Sequence, residues 1–128
     1  MRMATNNKVS EKVMHPELSY RVTGILFDIH NELGPYAREK QYGDLIEEKF
    51  KEFKLPYERE VGIGGSGNIL DFIVDGKIIL ELKAVRILTR EHYRQIQNYL
   101  QQIRLDLGLL VNFRNKYVKP ARIIRINS

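Results

Sequence analysis

Three side chains that can do acid, base or metal chemistry interrupt one apolar stretch, LDFIVDGKIILELKAV, residues 70–85. They are Asp71, Glu81 and Lys83. On a strand, Ile78, Leu80, Leu82 and Ala84 share one face, and Ile79, Glu81, Lys83 and Val85 share the other. A carboxylate and an ammonium two residues apart therefore point the same way. Taken alone, this pair reads equally well as an ion pair on a solvated sheet face. Asp71 changes the balance. It lies in the preceding strand, and two carboxylates on adjacent strands repel unless a cation lies between them. A hard divalent cation held by oxygen ligands is one solution. Neutralisation by Lys83 alone is the other.

Turn geometry sets a condition on this cluster. A two-residue loop at Asp75-Gly76 pairs Val74 with Lys77 and Asp71 with Leu80, which places Asp71 and Glu81 on opposite faces. A common face requires an odd loop or a bulge. A three-residue loop Val74-Asp75-Gly76, with Gly76 left-handed, pairs Asp71 with Ile79 and meets the condition.

Other elements must bring further groups to this strand. His15-Pro16-Glu17 opens a helix, with Pro in the first turn and an acid beside it. Leu18, Val22, Ile25, Leu26, Ile29 and Leu33 continue it at helical spacing until Gly34-Pro35. A second helix runs from about Arg38 to Phe53, with Tyr42, Leu45, Ile46, Phe50 and Phe53 as its apolar stripe. Glu39 lies three and seven residues before Tyr42 and Ile46, and so on the core side of that helix, where an acid needs a partner. The alternative is a first-turn Glu that complements the helix dipole.

Strands follow at Tyr57–Ile63, Ile69–Val74 and Ile78–Val85. GIGGSGN (62–68) between the first two is a flexible turn; a phosphate-cradling loop would lead into a helix and end in Gly-Lys-Ser/Thr. Thr89 caps a third helix reaching about Arg104, with Tyr93, Ile96, Leu100 and Ile103 as its stripe. Gln95 and Tyr99 lie one turn apart at the edge of that stripe. His92, at the helix start, reads as solvated rather than as a ligand. LGLLVNF (107–113) is apolar enough for a central strand buried on both faces, and ARIIRIN (121–127) is a last strand. The unit from Ile78 to Phe113 predicts a parallel strand–helix–strand crossover, hence an α/β sandwich on a mixed sheet.

Composition narrows the classes. The chain has 128 residues, 43% of them hydrophobic, which suits one packed domain at 15–128 behind an N-terminal arm at 1–14. There are no cysteines, which excludes disulfide scaffolds, thiolate zinc sites and cysteine-held iron–sulfur clusters. No apolar run reaches the ~18 residues of a membrane span, and the N-terminus lacks a secretory h-region. A cytoplasmic location is expected. The net charge of +5 favours anionic partners, nucleic acid first.

The series Asp71, Glu81-Leu82-Lys83 and Gln95-Ile96-Gln97-Asn98-Tyr99 resembles the PD-(D/E)xK nuclease superfamily, in the branch with D, ExK and QxxxY motifs typified by the RecB nuclease domain. From about Leu18 to Phe113 the chain more specifically resembles the GxxExxY family. It carries LGPY at 33–36, Glu39, Tyr42, DFIVDGKIILELKA from Asp71, QIQNYL from Gln95 and GLLVNF from Gly108. Tyr36 stands where that family has the glycine of its name. The resemblance implies a restriction-endonuclease-like three-layer sandwich with a central mixed sheet. It further implies that Asp71, Glu81 and the Leu82 carbonyl hold Mg²⁺ or Mn²⁺, with Glu39 completing the shell directly or through water. Lys83 would orient the attacking water and balance transition-state charge. Gln95 would position Lys83 or substrate, and Tyr99 and Tyr42 would contact substrate or support the site.

The expected function is metal-dependent phosphodiester hydrolysis of nucleic acid, DNA first. The alternative is a non-catalytic nucleic-acid-binding or protein-interaction module on the same fold. A chain this small leaves little surface for substrate selection, so a homodimer or partner protein is a further expectation.

Overall fold

The first apolar stripe folds as helix α1, Pro16–Leu33, burying Val22, Ile25, Leu26 and Ile29. Pro in its first turn removes an N–H that would have no helical partner. Gly34, at φ 74°, ends it in a conformation that favours glycine, and its N–H donates to the His30 carbonyl at 2.8 Å. Helix α2, Glu39–Glu52, buries Tyr42, Ile46 and Phe50, one turn apart. Phe53 does not belong to that stripe: it caps the helix and is 47% exposed. The computed structural model describes residues 14–127. The predicted arm lies outside the described residues except Met14, which packs against the core.

The strands are β1 Tyr57–Ile63, β2 Asn68–Val74, β3 Ile78–Lys83, β4 Leu107–Asn112 and β5 Ala121–Ile124, with helix α3, Arg90–Ile103, between β3 and β4. They form one sheet in chain order. Only β3 and β4 pair parallel, and α3 joins them; the other neighbours are antiparallel. α1 and α2 pack on one face with Phe72, Val74, Ile78, Leu80, Leu82, Leu109 and Val111. Helix α3 covers the other with Ile79, Leu110 and Ile123. This is the restriction-endonuclease-like three-layer α/β sandwich. Each fully buried Leu, Ile, Val or Phe contributes roughly 1.5–3 kcal/mol, so these apolar positions, not the acids among them, dominate the choice of register.

Further details differ from the sequence expectation, among them the last strand, which ends at Ile124 rather than 127. The stripe of α3 is Ile96, Tyr99 and Leu100, with Ile103 partly buried. Tyr99 is therefore a core residue at 2% exposure, while Tyr93 is 40% exposed. The helix has rolled so that positions 96, 99, 100 and 103 form the i, i+3, i+4, i+7 set. β3 stops at Lys83, yet its path is held two residues further. The Asn112 side chain accepts from Val85 N–H at 3.0 Å and donates to the Val85 carbonyl at 2.7 Å, a side-chain amide continuing the backbone ladder.

Strict alternation also fails in β1 and β2. Phe72 faces α1 and α2, yet Leu70 joins Ile73 on the α3 side. In β1, Tyr57 packs toward the first face and Val61 and Ile63 toward the second. The two steps are aligned: pairing is kept at Arg59 with Phe72 and at Val61 with Leu70, and skips Glu60 and Asp71. Glu60 takes φ 56°, a conformation that L side chains other than Asn and Asp seldom adopt. Asp71 sits at this crossover of faces.

Candidate active site

The β2–β3 hairpin meets the odd-loop condition. Val74 pairs with Ile78, so Asp75, Gly76 and Lys77 form the loop, with Asp75 at φ 52° and Gly76 at φ 62°. The loop lies one residue later than the Val74–Gly76 loop expected. Fully buried Val74 stays in the ladder, and exposed Lys77 goes to the turn. The register continued from Phe72 with Leu80 places Asp71 directly opposite Glu81, rather than Ile79.

At that position side chains replace ladder bonds. Asp71 N–H donates to Glu81 Oε1 at 2.9 Å, and Leu82 N–H donates to Asp71 Oδ2 at 2.8 Å. Each acid thereby braces the other's strand. Glu81 is 4% exposed. Burial, followed by the neighbouring Asp71 carboxylate, pushes its carboxyl up to about 8, against the opposing pull of the Asp71 N–H and the Lys83 charge. Lys83 Nζ lies 3.9 Å from Glu81 Oε2, close enough to offset part of that charge but too long for a hydrogen bond. Burial and the same two acids raise the Tyr99 hydroxyl, which places Tyr99 electrostatically beside the pair.

Asp71 and Lys83 open on two different clefts. One, of about 270 Å³, is lined by Asp71 with Glu39, Glu60, Arg59 and Lys40. The other, of about 330 Å³, is lined by Lys83 with Gln95, Tyr99, Asn98 and Asn68. Hydrogen bonds join Asp71 to Glu81, and Lys83 stands beside Glu81, but the side chains open on different clefts: Asp71 with Glu39, and Lys83 with Gln95 and Tyr99. Glu39 is not on the core side of α2. It is the exposed first residue of the helix, where the dipole favours an acid, and its Oε2 accepts from Ala84 N–H at 3.2 Å just beyond β3. Leu82 is engaged through its N–H; its side chain is core. Tyr42 lines neither cleft. It stacks on Phe113 with ring centroids 4.0 Å apart, donates to the Gly34 carbonyl and accepts from Ala37 N–H at 3.2 Å, so it supports the turn that leads to Glu39. His92 caps α3, its Nδ1 accepting from Thr89 N–H at 2.9 Å.

Oxygen donors of this kind suit a hard divalent cation. A cation at the acid pair would oppose both causes that raise Glu81, the burial of its charge and the charge of Asp71. The chemistry of the donor set therefore fits a hard divalent cation. Among the described residues, no group of three or more His, Asp or Glu side chains is already gathered around one point.

Three residues at the site escape sequence reading. Glu60 has no sequence signal, since its alternation looks regular and its positive φ is invisible. Arg59 looks like a solvated strand charge, but it pairs with Asp44 and Glu47 of α2 at 2.9 Å each and fixes that helix to β1. Asn112 had a usable signal, a lone amide at the end of an apolar run, where a buried polar group requires partners.

None of the described helices is long and apolar enough to cross a membrane. No curated protein and no solved structure matches the chain. The family model for the PD-(D/E)XK nuclease superfamily matches residues 16–126, a span that includes the five described strands, the three described helices and the braced acid pair. The chain belongs to the PD-(D/E)XK nuclease superfamily.

Proposed function

We propose that residues 15–128 act as one metal-dependent nuclease domain that hydrolyses phosphodiester bonds, with DNA as the first substrate class. The observation that carries this is the reciprocal bracing of Asp71 and Glu81 beside Lys83. A surface ion pair would not bury a carboxylate against a second one at several kcal/mol of cost. Asp71 and Glu81 would hold Mg²⁺ or Mn²⁺ with the Leu82 carbonyl, and Glu39 would join directly or through water. When bound, the metal supplies Lewis acidity toward a phosphate oxygen and a more acidic water.

The chain's own groups do the rest. Lys83 places a positive charge where negative charge develops on the phosphoryl oxygens and orients the incoming water. Gln95, across the same cleft, positions Lys83 or the substrate. Tyr99 braces α3 beneath the site, and Tyr42 supports the turn before Glu39. The finer assignment to GxxExxY proteins and a cytoplasmic setting belong to this same reading, as does a homodimer or partner that widens the substrate surface.

The test is incubation of the protein with mixed DNA and RNA substrates, with and without Mg²⁺ or Mn²⁺, against Asp71→Asn. Metal-dependent cleavage lost in the variant supports the reading. A second reading, a binding module without turnover, is favoured by the lack of a ready three-acid group among the described residues. Metal-independent binding with no cleavage would select it.

A further inference from the structure

Tyr36 is 82% exposed in the turn between α1 and α2, so its ring contributes little to the core. It is not an idle surface tyrosine, because a second group is fixed over it. The Arg114 guanidinium lies 5.6 Å from the ring centroid. Arg114 is itself held: its Nε donates to the Pro35 carbonyl at 3.2 Å and its backbone N–H to Asn112 Oδ1 at 3.3 Å. A planar cation held over an aromatic ring by the carbonyl of the residue before that ring forms a partly ordered platform, with less side-chain entropy left to lose than two free side chains.

Its place links it to the acid pair. Asn112 is the register partner of Lys83, and Phe113 N–H donates to the Lys83 carbonyl at 2.9 Å. Three residues after Tyr36, Glu39 reaches Ala84. The turn at 34–38, the end of β3 and the end of β4 therefore meet at one end of the sheet, where Lys83 also sits. Exposed Arg38 and Arg86 flank this junction, and the chain carries +5 overall. Two residues beyond Arg114, Lys116 lies over the exposed ring of Tyr117 at 5.4 Å, which repeats the cation–aromatic pairing along the same loop.

We infer that the Tyr36–Arg114 pair is a stacking platform for an unpaired nucleobase, and that the substrate of this site is single-stranded nucleic acid or a single-stranded end. Stacked bases inside a blunt duplex offer no free face to Tyr36. An unpaired base offers one whatever its identity, and cations beside an aromatic ring suit a strand whose backbone and bases are both accessible. The inference rests on the nuclease reading for what happens to the strand, and on the platform alone for how the strand is held.

Binding is measured by fluorescence anisotropy with labelled twelve-nucleotide oligo-dT and oligo-rU, an abasic strand of equal charge and a blunt duplex. EDTA keeps any cleavage silent. Tyr36→Ala should weaken both base-bearing single strands by roughly fivefold or more, the loss of about one stacked base. Tyr36→Phe should keep wild-type affinity, and the abasic strand should not distinguish the three proteins. Equal affinity of wild type and Tyr36→Ala for the single strands overturns the inference. So does an equal loss on the abasic strand or the blunt duplex, or no binding to any of the four. A cleavage assay in Mg²⁺ or Mn²⁺ separates the two readings. Tyr36-dependent single-strand binding without cleavage leaves the platform and removes the nuclease. Metal-dependent cleavage with Tyr36-independent binding does the reverse.

Discussion

Asp71 and Glu81 hold each other's strands: the Asp71 N–H donates to the Glu81 carboxylate, and the Asp71 carboxylate accepts from Leu82 N–H, the residue after Glu81. Ladder bonds between β2 and β3 give way to side-chain bonds at this point. The exchange fixes both acids within the sheet rather than on mobile loops, which is the positional accuracy a catalytic or metal-binding pair requires. It also makes each acid a structural group, so substitutions here test two properties together.

Asp71→Asn keeps a carbonyl oxygen able to accept from Leu82 N–H while removing a charge. Divalent cation should raise the melting temperature of wild type, because binding to the folded state alone stabilises it by mass action. The variant should gain much less, with a weaker apparent Mn²⁺ affinity in calorimetry. Identical ion binding in the two proteins would remove Asp71 from the metal site.

Metal-free protein should lose stability as pH rises. The Glu81 carboxyl goes from an ordinary value of 4.5 to about 8 in the fold, so the folded state holds a proton that the unfolded chain releases. Its contribution is complete below 4.5 and is lost as pH climbs through about 8. In EDTA, melting temperature should fall between pH 6 and pH 8.5 more steeply in wild type than in Glu81→Gln, which keeps an acceptor for Asp71 N–H but has no proton to release. Parallel pH profiles for the two proteins would show that Glu81 is not the group responsible.

Much of this was legible in the sequence, and the misses have physical causes. The order of elements follows from periodicities of 3.6 and 2 bounded by Gly34-Pro35, the GIGGSGN turn at 62–68 and Asp75-Gly76. Asp71, Glu81 and Lys83 stood out because each is a charge in an apolar run. The odd hairpin loop followed from requiring a common face for the acids, but its position depended on the burial of Val74 against Lys77, a tertiary quantity. Tyr99 was misplaced because a helix stripe one residue wide to either side reads alike until the roll of α3 on the sheet is known. Glu60 and the step from one face to the other in β1 and β2 lie beyond any alternation rule. For Glu39 the spacing to Tyr42 leaves a core-side acid and a first-turn acid both open; the second holds, because at the first turn of α2 this position reaches past the end of β3 to Ala84.

Gly108→Ala tests how tightly α3 is seated. A Cβ at Gly108 in β4 would lie 2.7 Å from Cγ2 of Ile96, between Gln95 and Tyr99 in sequence, and 3.8 Å from Ile79 and Leu100. β-Branched Ile96 is fully buried and has little freedom to turn away. The substitution should cost about 1–3 kcal/mol, an overpacking penalty, visible in urea unfolding. It should also shift Gln95 and Tyr99 relative to Lys83 and reduce any cleavage rate by more than it reduces nucleic-acid affinity. A variant as stable as wild type would mean that α3 rides more loosely on the sheet than this contact implies.

Lys83 separates an enzyme from a binder. Its ammonium lies beside Glu81 and opens on the cleft shared with Gln95, so it can meet a phosphoryl group and charge-balance the acids at once. If it acts on the attacking water and on transition-state charge, Lys83→Ala should lower kcat by roughly 10²-fold or more while changing affinity little. If it is one cation among several, its loss should weaken binding and reduce the salt slope by about one phosphate contact, with no cleavage to lose. If it only neutralises the two acids, the variant should lose melting temperature, and divalent cation should restore it. Cleavage rate, affinity at two salt concentrations and melting temperature of the one variant decide among the three. A wild type with no metal-dependent cleavage of DNA or RNA, joined to a Lys83→Ala variant that loses affinity alone, would replace the nuclease with a binding module on the same sheet.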